Sequence, residues 1–361
     1  MAGVRCEIKG ESARTRYDSA PMRPLGALLV LLSPLAILAQ DPEPDRPPAV
    51  AAGLVVGSGN FFSPIVASLE RALAFYRDGV GLPAAGPPSN ANMNAPLRQL
   101  FGLPEAHLRW TVTRPPSMTG GIEIVEISGA SARPLARRVQ DPGAFMLLVT
   151  VTDIDAAMQR MKTLGGTLVT VSGGPVTAGR TNRVRAVAVR DPDDHFVELL
   201  QPDSLPAGSG RGVSDARIRL TVDDLDRAVR LYRDALGFHQ VSISAFTNDR
   251  TGMDLLGLSE GGEYRYASLQ VPGSNLSIEL IEFRGMARQH VQGRIQDPGS
   301  TRLQLQVRDL DAAIRAVVDA GGAVVSSGGV PVELPAGRGT TIRAAMVRDP
   351  NNLFLVLFVG N

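Results

Sequence analysis

SLERALAFYRDGVGL at residues 68–82 returns as DLDRAVRLYRDALGF at 224–238, and the meaning of that return decides the fold. Each copy opens on a residue whose side-chain oxygen can accept the free N–H groups of a helix's first turn, Ser68 or Asp224. Apolar residues then follow at helical spacing, as in Leu69, Ala72, Leu73 and Tyr76. Other blocks repeat at nearly the same distance. LFGLPEAHLRW (100–110) matches LLGLSEGGEYRY (255–266), and GIEIVEISG (121–129) matches SIELIEFRG (277–285). RVQDPG (138–143) matches RIQDPG (294–299), and VRDPDDHFVELL (189–200) matches VRDPNNLFLVLF (347–358). The offset is 156 residues at Leu69/Leu225 and 158 at Asp191/Asp349. The sequence therefore divides into two similar domains, 54–203 and 214–361, joined by a Gly/Pro/Ser-rich linker at 204–213.

A shorter unit repeats inside each domain. VASLERA (66–72), VTDIDAA (151–157), VDDLDRA (222–228) and VRDLDAA (307–313) each end a strand and start a helix. Ser68, Asp153, Asp224 and Asp309 are the predicted N-caps, and the acid two residues later favours the positive end of the helix dipole. Gly165-Gly166 and Gly321-Gly322 are the predicted stops of the second and fourth helices. Strand-like segments and Gly/Pro turns follow, so the module reads strand–helix–strand–strand–strand, four times over. Alternation assigns faces. Leu303, Leu305 and Val307 should pack under a helix, leaving Arg302, Gln304 and Gln306 on the other face. The same logic places Arg217, Arg219 and Thr221, and Met146, Leu148 and Thr150, on that second face.

Composition narrows the chemistry. The chain has 361 residues, 37 basic and 36 acidic side chains, and a net charge of +1. That balance argues against a nucleic-acid binder, and Trp110 and the few tyrosines show no stacking pattern with basic residues. One cysteine, Cys6, excludes an internal disulfide framework or a Cys-rich metal site. Histidine chemistry must use His107, His195, His239 or His290, and no two of these stand at ligand spacing. There is no G-x-x-x-x-G-K-[ST], H-E-x-x-H or G-x-S-x-G, and no catalytic residue is assigned. PLGALLVLLSPLAILA at 24–39 is too short for a comfortable membrane span and suits a signal-peptide core. The expected order is a gene-start extension at 1–21, a signal peptide at 22–39 and a Pro-rich linker at 40–53. The mature protein would be periplasmic or secreted, with no stable membrane span after cleavage.

The V-x-D-L-D-x-A modules, FYRD/LYRD, the Gly-Gly stops and D-P-[DN]-[DN]-x-x-x-E together resemble the vicinal oxygen chelate superfamily, the glyoxalase, bleomycin-resistance and extradiol-dioxygenase group. The resemblance covers roughly 300 residues and all four modules. It implies an α+β fold of two tandem domains, each of paired βαβββ modules forming an open, cup-shaped mixed sheet with helices on the outside. Whether modules pair within this chain or exchange with another chain stays open, and a homodimer is compatible with either. In the enzymatic branches two first-strand histidines and later-strand Glu residues hold a divalent metal at the cup base. Counting five residues back from each strand-end Val gives Phe61, Met146, Arg217 and Arg302, none of them His. The later-strand Glu positions map to Glu123 and Glu198 in the first domain, and to Glu279 and Val356 in the second.

These residues set the functional expectations. The first-domain cup is expected to bind a small organic molecule through Phe61, Ile65, Val125, Met146, Leu148 and Phe196. The second domain is expected to carry a structural polar cluster of Arg217, Glu279 and Arg302, the alternative being that its two guanidiniums bind a carboxylate or phosphate. No cofactor is expected. A Zn, Ni, Fe or Mn ion would need a non-standard site built from Glu123, Glu198 and His195, of which His195 reads better as a turn residue. The leading function is thus an exported binding protein with degenerate metal sites. The alternatives are a metal-dependent lyase, isomerase or dioxygenase with a non-standard site, and a structural module whose cups are filled by side chains.

Overall fold

The computed structural model describes residues 53–83, 86–92, 94–179, 183–205, 212–259, 261–337 and 340–360. The gene-start extension, the signal peptide, nearly all of the 40–53 linker and the middle of the 204–213 linker lie outside the described residues. Among the described residues no helix is long and apolar enough to cross a membrane.

Each module contributes a first strand, a helix and a last strand that lies parallel to the first. Module 1 has β1 (Ser63–Val66), α1 (Leu69–Leu73) and β2 (Ile122–Ser128). Module 2 has β3 (Phe145–Val151), α2 (Ile154–Thr163) and β4 (Phe196–Pro202). Module 3 has β5 (Val213–Val222), α3 (Leu225–Val229) and β6 (Ser277–Arg284). Module 4 has β7 (Thr301–Val307), α4 (Leu310–Asp319) and β8 (Phe354–Val359). The four caps are made as the sequence predicts: Ser68, Asp153, Asp224 and Asp309 accept from the N–H three residues on. Gly165 and Gly321, at φ of 90° and 95°, take the left-handed conformation that lets the chain leave α2 and α4.

The sheets join across the sequence repeat. In one, β1 of module 1 runs antiparallel to β7 of module 4, giving the central order β8–β7–β1–β2 within ten strands. In the other, β5 of module 3 runs antiparallel to β3 of module 2, giving β6–β5–β3–β4 within nine strands. Module pairing is therefore internal to the chain, and it joins 1 to 4 and 2 to 3, not the two modules of each sequence repeat as expected, because the first strands pair antiparallel across the repeat. The helices keep each repeat together. Tyr76, from the FYRD motif, donates to Asp191 at 2.9 Å, and Tyr232, from LYRD, donates to Asp349 at 3.0 Å. Each bond anchors the helix of one module to the Asp-Pro turn of the next.

Three apolar clusters follow from this arrangement. The largest packs the helices under both sheets and contains Leu303, Leu305 and Val307, as their alternation predicts. A second fills the cup of modules 2 and 3, and a third lines the cup of modules 1 and 4.

Candidate functional site

At the base of the 2/3 cup, Arg219 on β5 stands directly opposite Met146 on β3. Its parallel neighbour on β6 is Glu279, and Glu198 approaches from β4. Arg219 Nε and Nη2 donate to Glu279 Oε2 at 2.9 and 2.7 Å, and Nη1 donates to Glu198 Oε2. The three side chains are buried, with Arg217 Nη1 3.8 Å from Glu279 Oε1 at the margin. Burial alone would favour a neutral Arg219, but the two carboxylate charges outweigh it and raise its proton affinity. Met146, Leu148, Phe196, Tyr264, Tyr266 and Phe283 fill the cup around this cluster. The same burial pushes the Tyr266 hydroxyl up to about 12.

The 1/4 cup has the same floor plan with its polar residues exchanged. Arg302 on β7 stands opposite Ser63 on β1. Glu123, on β2 beside Ser63, receives all three described bonds on Oε2: from Arg302 Nη2 at 2.6 Å, Gln304 Nε2 at 3.0 Å and Ser63 Oγ at 3.3 Å. Gln304 Oε1 accepts from the Asn60 N–H. The guanidinium carbon of Arg302 lies 5.1 Å from the centroid of Phe101, on the short helix Ala95–Phe101. Arg302 is 3% exposed, yet its Nη1 has no acceptor among the described residues. Above this floor opens a cavity of about 230 Å³, walled by Leu97, Phe101, Trp110, Leu334, Ile342 and Phe358. Val356 holds the place on β8 that Glu198 holds on β4, and among the described residues no second carboxylate pairs with the guanidinium. A larger cleft, about 670 Å³, lies on the outer face between the helices of modules 3 and 4. Its polar residues Arg227, Arg230, Arg315 and Asp319 are not buried, so nothing there is pre-positioned by burial.

The structure redistributes the sequence-derived site. Ile65 and Val125 line the 1/4 cup, whereas Met146, Leu148 and Phe196 belong to the 2/3 cup. Phe61 faces neither; it precedes β1, where strand alternation has not begun, and packs in the core beneath the helices. The cluster read as Arg217, Glu279 and Arg302 separates in the same way, because Arg302 sits on the other sheet and pairs with Glu123. Glu123, Glu198 and His195 do not converge either, since Glu123 and Glu198 occupy different cups. His195 is 2% exposed in the Asp-Pro turn, with Nδ1 3.0 Å from Asp191 Oδ2 and Nε2 3.0 Å from the Ser300 carbonyl. Both ring nitrogens thus face acceptors, which demands an imidazolium and leaves no lone pair for a metal. Burial works against that charge, but the Asp191 carboxylate overrides it and raises the His195 pKa. Asp191 is correspondingly held low despite its burial.

Sequence reasoning missed Arg219 and Gln304 as site residues. Cross-strand register places Leu148 beside Glu198, Arg219 beside Glu279 and Gln304 beside Val356. Ser63 lies beside Glu123 by continuation from the Phe62/Ile122 and Ile65/Val125 pairs. Each lies two residues later than the position counted from the strand-end Val. These two sets also test the family's metal. In the 1/4 cup Ser63, Glu123, Gln304 and Val356 offer one carboxylate, already bound to a guanidinium. In the 2/3 cup Leu148, Glu198, Arg219 and Glu279 offer two, clamped on a resident cation. Neither donor set fits a divalent metal. Among the described residues no group of three or more His, Cys, Asp and Glu side chains is placed to hold one.

The sequence model of the Glyoxalase/Bleomycin resistance protein/Dioxygenase superfamily matches residues 60–199 and 216–357, so the chain belongs to that superfamily. No curated protein matches it. Among solved structures it is similar to glyoxalase I from Zea mays, at 17% identity and a TM-score of 0.51, over 85% of this chain and 92% of that one. A point mutant of the maize enzyme matches at 17% identity and 0.52, with the same coverage. A putative dioxygenase from Bacillus subtilis subsp. subtilis str. 168 matches at 14% and 0.47, over 85% of this chain and 86% of that one. At these identities the likeness concerns the fold alone.

Proposed function

We propose that the protein is an exported member of the superfamily that binds a small organic molecule in the 1/4 cup without a metal, while the 2/3 cup is structural. One observation carries this reading. Of two cups with the same floor plan, one packs Tyr264, Tyr266 and Phe283 around the Glu198–Arg219–Glu279 cluster, and the other holds a 230 Å³ apolar cavity over a guanidinium whose Nη1 has no partner among the described residues. A largely apolar cavity with a few placed polar groups is the usual make-up of a small-molecule site. Export is supported by the 22–39 segment and its polar, Pro-rich sequel.

Elemental analysis of purified protein and a thermal-shift screen with small aromatic and aliphatic compounds test the reading together. Metal content near zero per chain is expected, with compounds that stabilise the wild type and not Ala344→Phe, which fills the cavity. About one Zn, Ni, Fe or Mn per chain, lost on Glu123→Ala or Glu198→Ala, would overturn it. N-terminal sequencing of exported protein checks the cleavage near Ala39.

A further inference from the structure

We propose that the molecule taken up by the 1/4 cup is a small carboxylate, whose acid group supplies the second anionic partner that Arg302 lacks. This rests on the reading that the cup binds a small molecule, and it names the chemical class.

The argument comes from the molecule's own second copy. Both cups centre on one arginine bound to one glutamate, but the arginine comes from opposite strands. In the 2/3 cup Arg219 of module 3 faces Met146, and in the 1/4 cup Arg302 of module 4 faces Ser63. Glu279 and Glu123, separated by the repeat distance of 156, are the shared first partner. In the filled cup the guanidinium is completed by Glu198, which reaches Nη1. In the other cup the equivalent residue is Val356, and Nη1 of a side chain only 3% exposed is left without an acceptor among the described residues. A buried donor without a partner is costly, and a guanidinium fork takes a carboxylate better than a neutral acceptor. Val356, the residue equivalent to Glu198, itself lines the cavity together with Arg302.

Size and lining set the rest of the molecule. An apolar cavity of about 150 Å³ accommodates benzene. At about 230 Å³, this one has room for a single ring or a branched chain together with the acid group. Phe101 and Trp110 present aromatic surface beside the floor. Glu123 already neutralises Arg302, so the carboxylate is held by hydrogen-bond geometry and one shared cation, without the second guanidinium that Arg217 adds at the margin of the Glu198–Arg219–Glu279 cluster.

Calorimetric titration with phenylacetate and its uncharged isostere phenylacetamide tests the proposal, using wild type, Arg302→Met and Val356→Glu. Phenylacetate is expected to bind at least tenfold more tightly than the amide. Both variants should weaken it at least tenfold, Val356→Glu by supplying the missing carboxylate from within. Val356→Glu keeps the Arg302–Glu123 pair, so it remains informative should Arg302→Met fold poorly; melting temperatures of both variants identify that case. Equal affinity for acid and amide, or acid binding unchanged in a folded variant, would overturn the carboxylate while leaving the cup a binding site. If neither probe binds but Ala344→Phe-sensitive compounds emerge from the screen, the carboxylate falls alone. If no such compound emerges, both readings fall.

Discussion

The two cups show how little separates a core from a cavity. Both are built from a first strand and a last strand of two modules, and both place an Arg–Glu pair at the base. In one, a third residue closes the cluster and Tyr264, Tyr266 and Phe283 occupy the space above it. In the other, valine replaces that third residue, and the space above remains open. A resident cation thus stands at the base of each cup; every nitrogen of Arg219 has a carboxylate partner, whereas Arg302 Nη1 has no partner among the described residues.

The largest effect should come from breaking the saturated cluster. Arg219→Met leaves Glu198 and Glu279 buried without their cation, and about 3–5 kcal/mol of stability should be lost in urea denaturation. Arg302→Met should cost clearly less, since Glu123 borders the cavity and is more exposed than Glu198 or Glu279. Equal losses would break the comparison.

The turns offer a second, smaller contrast. Module 2 has His195 bound to Asp191, whereas module 4 has Leu353 over Asp349, whose pKa burial raises. His195→Leu makes the first turn like the second and should cost about 1–3 kcal/mol, because Asp191 and the Ser300 carbonyl each lose a buried donor. It should also change the pH profile. The His195 pKa is raised in the folded state, so its contribution is complete below about 6.5, the unfolded value, and fades as pH rises through the folded value. Wild-type melting temperature should therefore fall as pH rises through that window above about 6.5, and His195→Leu should lack this component; identical profiles would show that the imidazolium contributes nothing.

The smallest effects concern the motif tyrosines. Tyr76→Phe and Tyr232→Phe each remove one buried bond and should cost about 1 kcal/mol. The second should cost more, since Asp191 keeps the hydrogen-bonded His195 while the remaining described hydrogen bonds to Asp349 come from Asn351 and backbone N–H groups. The reverse order in thermal denaturation would contradict the part assigned to His195.

Much of this architecture is legible in the chain itself. Four caps, two glycine stops and the faces of Leu303, Leu305 and Val307 follow from local chemistry, which acts within a turn or a strand. Register does not. Alternation says that Arg217 and Arg219 share a face, but only the neighbouring strand decides which stands beside Glu279. For the same reason the repeat groups Arg302 with Arg217, its counterpart, rather than with Glu123 across the new pairing. His195 misleads by nearness in sequence to Glu198, when the turn points its ring back to Asp191 and across to Ser300. The repeat identifies the modules; it carries no information on which of them join edges.

That crossed joining has a consequence for how the molecule is made. The 2/3 cup uses one continuous run, Phe145 to Arg284 in its central strands. The 1/4 cup cannot form until Arg302 meets Ser63 and β8 has left the ribosome, so its closure spans the run from Ser63 to Val359. Contacts between such remote segments form slowly, because a long loop must be ordered before they repay its entropy. During synthesis β1 and β2 therefore wait with an open edge while the middle of the chain folds. The cavity of the 1/4 cup should be the last feature to be assembled, and truncation within the final strand should erase it while leaving the packed cup in place.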